Sequence, residues 1–266
     1  MRPVLFYIGS LPLRSYGLLI AVAFLVGIWI GRRRAAARGY KPDTVIDLSV
    51  ILILTSIAGA RLAYVLVRWS HYQNDIAGIF RTWEGGLALY GGMVAGTIAA
   101  LLFFRRRGID IWAGSDLLTP SLAAGVAIGR IGCFLNGCCF GHQCDAPWGV
   151  VFSADSMAGM TFPGVHLHPT QVYEAAIALA ILTVLLLVDR RRRFDGFLFW
   201  LFVILLSFSR IFIDPIRHYE TESIFLEAGS FAMTNNQAVS VGLIVLAVYF
   251  LLRLSRRARA SAPAGI

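Results

Sequence analysis

Apolar residues gather in seven stretches, near 15–31, 45–67, 86–104, 115–135, 170–188, 196–213 and 236–252, separated by shorter polar segments. Each approaches the roughly 20 residues that a helix needs to cross the hydrocarbon core of a bilayer. From Gly85 to Phe104 the chain carries no charge. The pattern predicts an all-α polytopic membrane protein with seven transmembrane helices, forming one membrane domain over 1–266. The segment 136–169 is long enough for a small irregular extracytoplasmic cap, rich in Gly and Pro rather than in strand patterns. The end, 255–266, reads as a flexible cytoplasmic tail. No internal repeat is legible, and an odd number of spans argues against the inverted repeats of many transporters.

Composition agrees with the pattern. Of 266 residues, 58% are hydrophobic and 15% charged, and the mean hydropathy is +0.70. Soluble domains carry about 45–50% apolar and about 25% charged residues, so a soluble enzyme and a disordered chain are both excluded. The net charge of +9 changes the picture only through its location. Most basic residues fall in four clusters: Arg32, Arg33, Arg34, Arg38 and Lys41; Arg105 to Arg107; Arg190 to Arg193; and Arg253, Arg256, Arg257 and Arg259. They follow the first, third, fifth and seventh apolar stretches, which predicts an outside N-terminus and a cytoplasmic C-terminus. The clusters sit apart and lack interleaved aromatic residues, so nucleic acid is not expected as a partner. The first stretch has no compact basic segment before it and Arg32 to Arg34 after it, so it reads as a retained span rather than a cleaved signal peptide.

Three arginines interrupt the apolar stretches: Arg61, Arg130 and Arg210. A guanidinium facing hydrocarbon at a span centre costs at least about 2.5–3.5 kcal/mol, so each must face the bundle interior. In the predicted topology all three lie toward the outer leaflet. Tyr16, Glu84 and Tyr90, and His168, Gln171, Tyr173 and Glu174, open the first, third and fifth spans at that level. A buried carboxylate such as Asp214 or Glu174 is one partner for these cations, and an anionic ligand, a lipid phosphate, is the other.

Between the fourth span and the cap the chain reads Gly129-Arg130-Ile131-Gly132-Cys133-Phe134-Leu135-Asn136-Gly137-Cys138-Cys139-Phe140-Gly141. Four glycines in this short run predict an irregular backbone, whose free N–H groups and arginine suit a phosphate. The run resembles the signature of bacterial prolipoprotein diacylglyceryl transferases, Gly-Arg-x-Gly-Asn-Phe-x-Asn-x-Glu-x-x-Gly, at Gly129, Arg130, Gly132, Phe134, Asn136 and Gly141. The resemblance extends to Ser15-Tyr16-Gly17-Leu18, Ala60-Arg61-Leu62-Ala63-Tyr64, Trp83-Glu84-Gly85-Gly86 with Tyr90-Gly91-Gly92, His168-Pro169-Thr170-Gln171-Val172-Tyr173-Glu174, and Arg210-Ile211 through Arg217. Cys133 and Cys138 depart from it, standing where the commoner signature has Asn and Glu, so the roles of those two residues are not carried over. Tyr90 stands where some members have a histidine regarded as the proton acceptor. Asp214 replaces a longer Glu and remains able to orient Arg210.

The resemblance implies transfer of a diacylglyceryl group from phosphatidylglycerol to the cysteine thiol of a prolipoprotein signal peptide, making a thioether and releasing glycerol phosphate. It also implies a bacterial inner-membrane enzyme with membrane lipids around it and no cofactor or metal. The chemistry needs cations for the leaving phosphate and an acceptor for the thiol proton. Arg130 and Arg210 are assigned to the phosphate, with Tyr90 and His168 as further catalytic candidates. Tyr16, Arg61, Gly129, Gly132, Asn136, Gly141, Gln171, Tyr173, Glu174 and Asp214 are candidate substrate-binding residues. For the base, His168, Tyr90 and Glu174 stay open, and His168 with Pro169 also reads as a helix-start turn.

Cys133, Cys138, Cys139 and Cys144 lie close together in sequence. A disulfide from Cys138 or Cys139 to Cys144, free packing thiols, and metal ligation are the three readings, and the spacing is not the paired C-x-x-C of zinc sites. The cysteines also raise a membrane thiol–disulfide oxidoreductase as a rival function, against which stands the lack of a second pair to pass electrons. An anion channel or lipid transporter is a third class, for which the cytoplasmic halves of the spans look too apolar.

Overall fold

The computed structural model describes residues 3–9, 11–73, 75–82, 85–192, 194–218, 224–228 and 231–260. Trp83 and Glu84 of the resemblance, Arg193 of the third basic cluster, and 261–266 of the predicted tail lie outside the described residues. Each of the seven apolar stretches overlaps one long helix, though 86–88 precede the third stretch's helix. In chain order the elements are strands β1 (Val4–Ile8) and β2 (Leu11–Arg14), then helices α1 (Ser15–Ala37), α2 (Asp43–Val67) and the short α3 (Trp69–Tyr72). After a 3-10 turn at Ile76–Phe80 come α4 (Leu89–Arg106), α5 (Ile111–Asn136), β3 (Val150–Val151), α6 (Met157–Thr161) and β4 (His166–Leu167). The chain then forms α7 (Thr170–Asp189), α8 (Phe197–Ile213), a 3-10 turn at Asp214–Ile216, β5 (Ile224–Ala228), β6 (Phe231–Thr234) and α9 (Asn235–Ala260). Among the described residues six helices, α1, α2, α5, α7, α8 extended to Ile216, and α9, are long and apolar enough to cross a membrane. The protein is a multi-pass helical membrane protein. Large side chains such as Leu25, Val67, Leu187 and Val245 stand on the outside of these helices, an arrangement that water would penalise and lipid accepts.

By its contacts the chain divides into two compact units, 31–114 and 1–30 with 115–266. In the first, α2 and α4 pack through small residues. A Cβ on Gly59 would meet the Gly91 carbonyl oxygen at 2.7 Å, and one on Gly96 would meet Ser56 Oγ at 2.6 Å, so only glycine permits this approach. Arg107 pairs with Asp47 at 2.7 Å at one end of the two helices.

In the second unit, Ala123 of α5, Ile181 and Leu185 of α7, and Leu198 and Phe202 of α8 form a buried apolar cluster. Trp200 of α8 stacks on Phe250 of α9 with ring centroids 4.7 Å apart. Asp116, buried in α5, accepts 2.9 Å bonds from the N–H groups of Gly196 and Phe199, so a carboxylate from one helix caps the first turn of another. The predicted irregular cap carries some regular structure: β3 and β4 pair, α6 is capped by Ser156, and Phe140, Phe152, Ala158 and Leu167 form its core. Two hairpins, β1–β2 before α1 and β5–β6 before α9, share one register with one irregularity at the same step. This is an internal strand–strand–helix repeat that sequence reading missed, although both segments carry Gly-Ser between their strands and apolar residues at matching positions.

Candidate active site

The backbone around the glycine-rich run differs from expectation. Gly129 through Asn136 is helical, the last two turns of α5, so its N–H groups are taken up by the helix and irregularity starts only at Gly137. A Cβ on Gly132 would meet Tyr16 Cδ2 at 3.3 Å, so this glycine lets α1 approach α5, and Gly129 faces Ile20. Gly137, at φ 69°, ends the helix in a Schellman motif: its N–H donates to the Phe134 carbonyl at 3.2 Å and the Cys138 N–H to that of Cys133 at 3.1 Å. Gly141 sits where three segments cross, and a Cβ there would meet His168 Cβ at 2.6 Å and the Ile216 carbonyl oxygen at 2.7 Å. It also forms a β-bridge with Arg217.

These local folds deliver a compact charged group. Glu174, one turn into α7 and 8% exposed, has Arg210 Nη1 of α8 at 2.7 Å from Oε1 and Arg130 Nη1 of α5 at 2.9 Å from Oε2. Arg217, just after the turn that follows α8, brings Nη1 to 3.9 Å from Oε1. Arg130, Arg210 and Glu174 are thus brought together as side chains of three helices, and Arg217 joins them. Sequence reading missed Arg217 as a site residue. Its signal was its place at the end of the Arg210–Arg217 segment, and only the chain reversal at Asp214–Ile216 turns it back.

Supporting residues surround the group. Gln171, fully buried one turn before Glu174, donates Nε2 to the Cys138 carbonyl at 2.7 Å, and buried Thr170 donates to that of Cys139 at 2.8 Å. Cys139 is the one non-glycine among the described residues with positive φ, 63°. The Cys138 thiol donates to the Cys133 carbonyl at 3.7 Å. Buried Asp214 accepts a 2.8 Å bond from Thr234 Oγ1, which ties the start of α9 to the end of α8. His168 Nδ1 lies 3.2 Å from the Tyr173 hydroxyl.

All four cysteines are free thiols, so the disulfide expectation is replaced. Cys133, Cys138 and Cys139 bring their sulfurs within 4.8 Å of one another, while Cys144 is buried in the cap. Hydrogen bonds from Cys133 and Cys138 hold the Cys139 thiol well below the usual thiol range, against the opposing effect of burial, and the guanidinium groups of Arg217 and Arg130 act in the same direction.

In the other unit, Arg61 is 6% exposed, and all five of its guanidinium N–H groups donate to main-chain carbonyls. Nε reaches Ile79 at 2.7 Å, Nη1 reaches Gly85 at 2.7 Å and Gly86 at 3.0 Å, and Nη2 reaches Gly78 at 2.6 Å and Arg81 at 3.3 Å. Gly86, at φ 76°, leaves the room, since a Cβ there would meet Arg61 Nη1 at 2.6 Å. The guanidinium also lies 5.3 Å from the Tyr72 ring centroid. With every donor used, Arg61 is a clamp on the loop between α3 and α4. Tyr90 opens α4 and is 76% exposed.

Comparison with known proteins gives the ancestry. A family model described as prolipoprotein diacylglyceryl transferase matches residues 3–253. Proteins named phosphatidylglycerol–prolipoprotein diacylglyceryl transferase are similar across the chain. The one from Synechococcus elongatus is 37% identical over 260 residues, covering 95% of this chain and 89% of its own. The one from Acaryochloris marina is 33% identical over 256 residues, covering 95% and 92%, and the one from Bacillus velezensis is 33% identical over 254 residues, covering 95% and 92%. With ordered motifs from α1 to α8 and a match over nearly its whole length, this chain belongs to the prolipoprotein diacylglyceryl transferase family.

Proposed function

We propose that this protein transfers the diacylglyceryl group of phosphatidylglycerol to the lipobox cysteine thiol of prolipoproteins, forming a thioether and releasing glycerol phosphate, the first step of lipoprotein maturation. The observation that carries the reading is the gathering of Arg130, Arg210 and Arg217 on one carboxylate. Three guanidinium groups and one carboxylate leave a formal surplus of two positive charges. A phosphodiester headgroup brings one negative charge and develops a second as the C–O bond breaks, so the surplus matches the leaving group. Glu174 holds the guanidinium forks in place before lipid arrives, and preorganised cations act most strongly in a site of low dielectric.

In this reading Arg130 and Arg210, with Arg217, bind the phosphate and stabilise its added charge. Tyr16 and Asn136, near Gly132 at the end of α5, line the approach. Gln171, Thr170 and Asp214 position the cysteine loop and the α8–α9 connection. Arg61 is structural. We place α4 as a seventh membrane crossing, since Leu89 to Phe104 is free of charge. The N-terminus lies outside and the C-terminus inside, because the basic clusters stand at the C-terminal ends of α1, α4, α7 and α9. Glu174 at the start of α7 and Arg210 near the end of α8 then face the outer leaflet of the bacterial inner membrane.

The test is purification in detergent and incubation with phosphatidylglycerol and a synthetic lipobox peptide, reading the peptide's mass. The unsubstituted protein is expected to add one diacylglyceryl group, a peptide with Ser in place of Cys to gain nothing, and Arg130→Glu to abolish transfer. No mass gain with the unsubstituted protein refutes the reading.

A further inference from the structure

We propose that Cys133, Cys138 and Cys139 are three protein ligands of a zinc ion whose fourth position takes the incoming substrate cysteine and activates it as a thiolate. The inference rests on the transferase reading for the identity of that substrate.

The thiols are placed by specific backbone devices. The Schellman motif at Gly137 folds Cys138 back over the last turn of α5, which carries Cys133. Cys139 adopts a positive φ that a residue with a Cβ takes at a cost on the order of 1 kcal/mol. Buried Thr170 and Gln171 hold that conformation by binding the carbonyls of Cys139 and Cys138. The result is three sulfurs within 4.8 Å of one another, all only partly buried. Zinc–sulfur bonds of about 2.3 Å at tetrahedral angles set ligand sulfurs about 3.8 Å apart, so closing onto a metal asks for small side-chain adjustments. Three protein ligands and an open position is the pattern of a catalytic rather than a structural zinc.

The cluster adjoins the cation group. Arg130 lies one turn before Cys133 on α5, Gln171 lies one turn before Glu174 on α7, and Gly141, two residues past Cys139, bridges to Arg217. Cys133 and Cys138, the two departures from the commoner signature, are the residues that build it.

The chemistry balances without a redox step. The substrate thiol releases its proton to solvent on binding zinc, because a thiol coordinated to zinc is deprotonated outright. The bound thiolate's electron pair forms the new bond to the glycerol carbon, and the electron pair of the breaking C–O bond passes to the phosphate oxygen beside the arginines. The thioether product is a neutral, weak ligand and leaves, with zinc unchanged in oxidation state.

The test uses the reduced full-length protein in detergent, loaded with zinc, or with cobalt(II) as a spectroscopic stand-in. About one metal per chain is expected, as a single four-coordinate site requires. Cys133→Ser, Cys138→Ser and Cys139→Ser should each lower metal affinity at least tenfold, while Cys144→Ser keeps it. In the unsubstituted protein, the sulfur-to-cobalt charge-transfer band should grow by about a third on adding the lipobox peptide, one thiolate joining three, and stay constant with the Ser peptide. Absence of stoichiometric metal, a band indifferent to the Cys peptide, or full transfer by metal-stripped protein in chelator overturns the inference. A mass two hydrogens lower, marking a disulfide within the cluster of the purified protein, also overturns it. Full transfer without metal leaves the transferase reading intact. A responsive band without any mass gain from phosphatidylglycerol refutes that reading and leaves the metal site standing.

Discussion

Arg210 Nη1 donates a 2.7 Å hydrogen bond to Oε1 of Glu174, joining α8 to α7. The same carboxylate faces Arg130 of α5 through its other oxygen, so a single acidic side chain orients cations from three directions. Glu174→Gln keeps the shape and removes the charge, which leaves three guanidinium groups repelling one another. Removing one partner of a buried ion pair typically costs about 3–5 kcal/mol. The variant is expected to melt at a clearly lower temperature in detergent and to need more phosphatidylglycerol for half-maximal rate, and an unchanged melt and KM would contradict the orienting role.

Arg217 stands 3.9 Å from Glu174, the loosest of the three. A cation that binds the leaving phosphate mainly as its charge develops contributes to kcat more than to KM. Arg217→Ala is expected to lower kcat about 10²- to 10³-fold, the usual cost of one transition-state donor. Steady-state kinetics with the lipobox peptide check this, and a change confined to KM would make Arg217 a ground-state contact.

Arg61 saturates five carbonyl acceptors with its five N–H groups. Arg61→Met leaves those acceptors without a donor, at about 1–3 kcal/mol for each that water does not reach. The loss should appear in the thermal unfolding of the protein. If Arg61→Met instead melts like the parent and loses affinity for phosphatidylglycerol, the clamp assignment fails and the guanidinium belongs with the lipid site.

His168 and Tyr173 share one hydrogen bond of 3.2 Å. If the bond's role is to shape the start of α7, then His168→Ala, Tyr173→Phe and the double variant should each cost about 1 kcal/mol of stability, with rates within about fivefold of the parent. A rate loss of 10²-fold or more in His168→Ala alone, the scale of a missing general base, would instead return His168 to the chemistry.

Gly91 and Gly59 bring α2 and α4 into contact. A Cβ on Gly91 would meet the Ala63 side chain and, at 2.5 Å, the Gly59 carbonyl oxygen. Gly91→Ala is therefore expected to push the helices apart and destabilise the protein by about 1–3 kcal/mol, read as a drop in melting temperature.

His142 packs edge-on to His218, with ring centroids 5.5 Å apart. Burial first, and then the nearby His218 and His168, lower its pKa from the ordinary 6.5. The unfolded chain therefore takes up a proton near that ordinary value while the folded one resists, and this contribution to stability is full above about pH 6.5 and declines as pH falls below it. The melting temperature of His142→Asn should fall less between neutral and mildly acidic pH than that of the parent. An equal fall in both would show that His142 is not the group responsible.

The chain's own pattern determined a helical membrane protein and the regions in which its long helices form, because a bilayer enforces apolar length directly on the sequence, but it gave no sign of the short helices α3 and α6 or of the continuation of α9 to Ala260. The cost of an arginine in lipid likewise marked Arg130 and Arg210 as inward-facing before any contact was known. Partner choice was a different matter. Arg61 carries the same signal as Arg130, yet one is consumed by carbonyls of its own loop and the other meets Glu174, because hydrogen-bond partners depend on where distant backbone ends up. The glycine run looked irregular and proved helical as far as Asn136, since glycine allows close helix approach as readily as it allows a turn. Arg217 and the three-thiol cluster exist only because a chain reversal, a Schellman turn and one left-handed cysteine fold separate residues onto the same site.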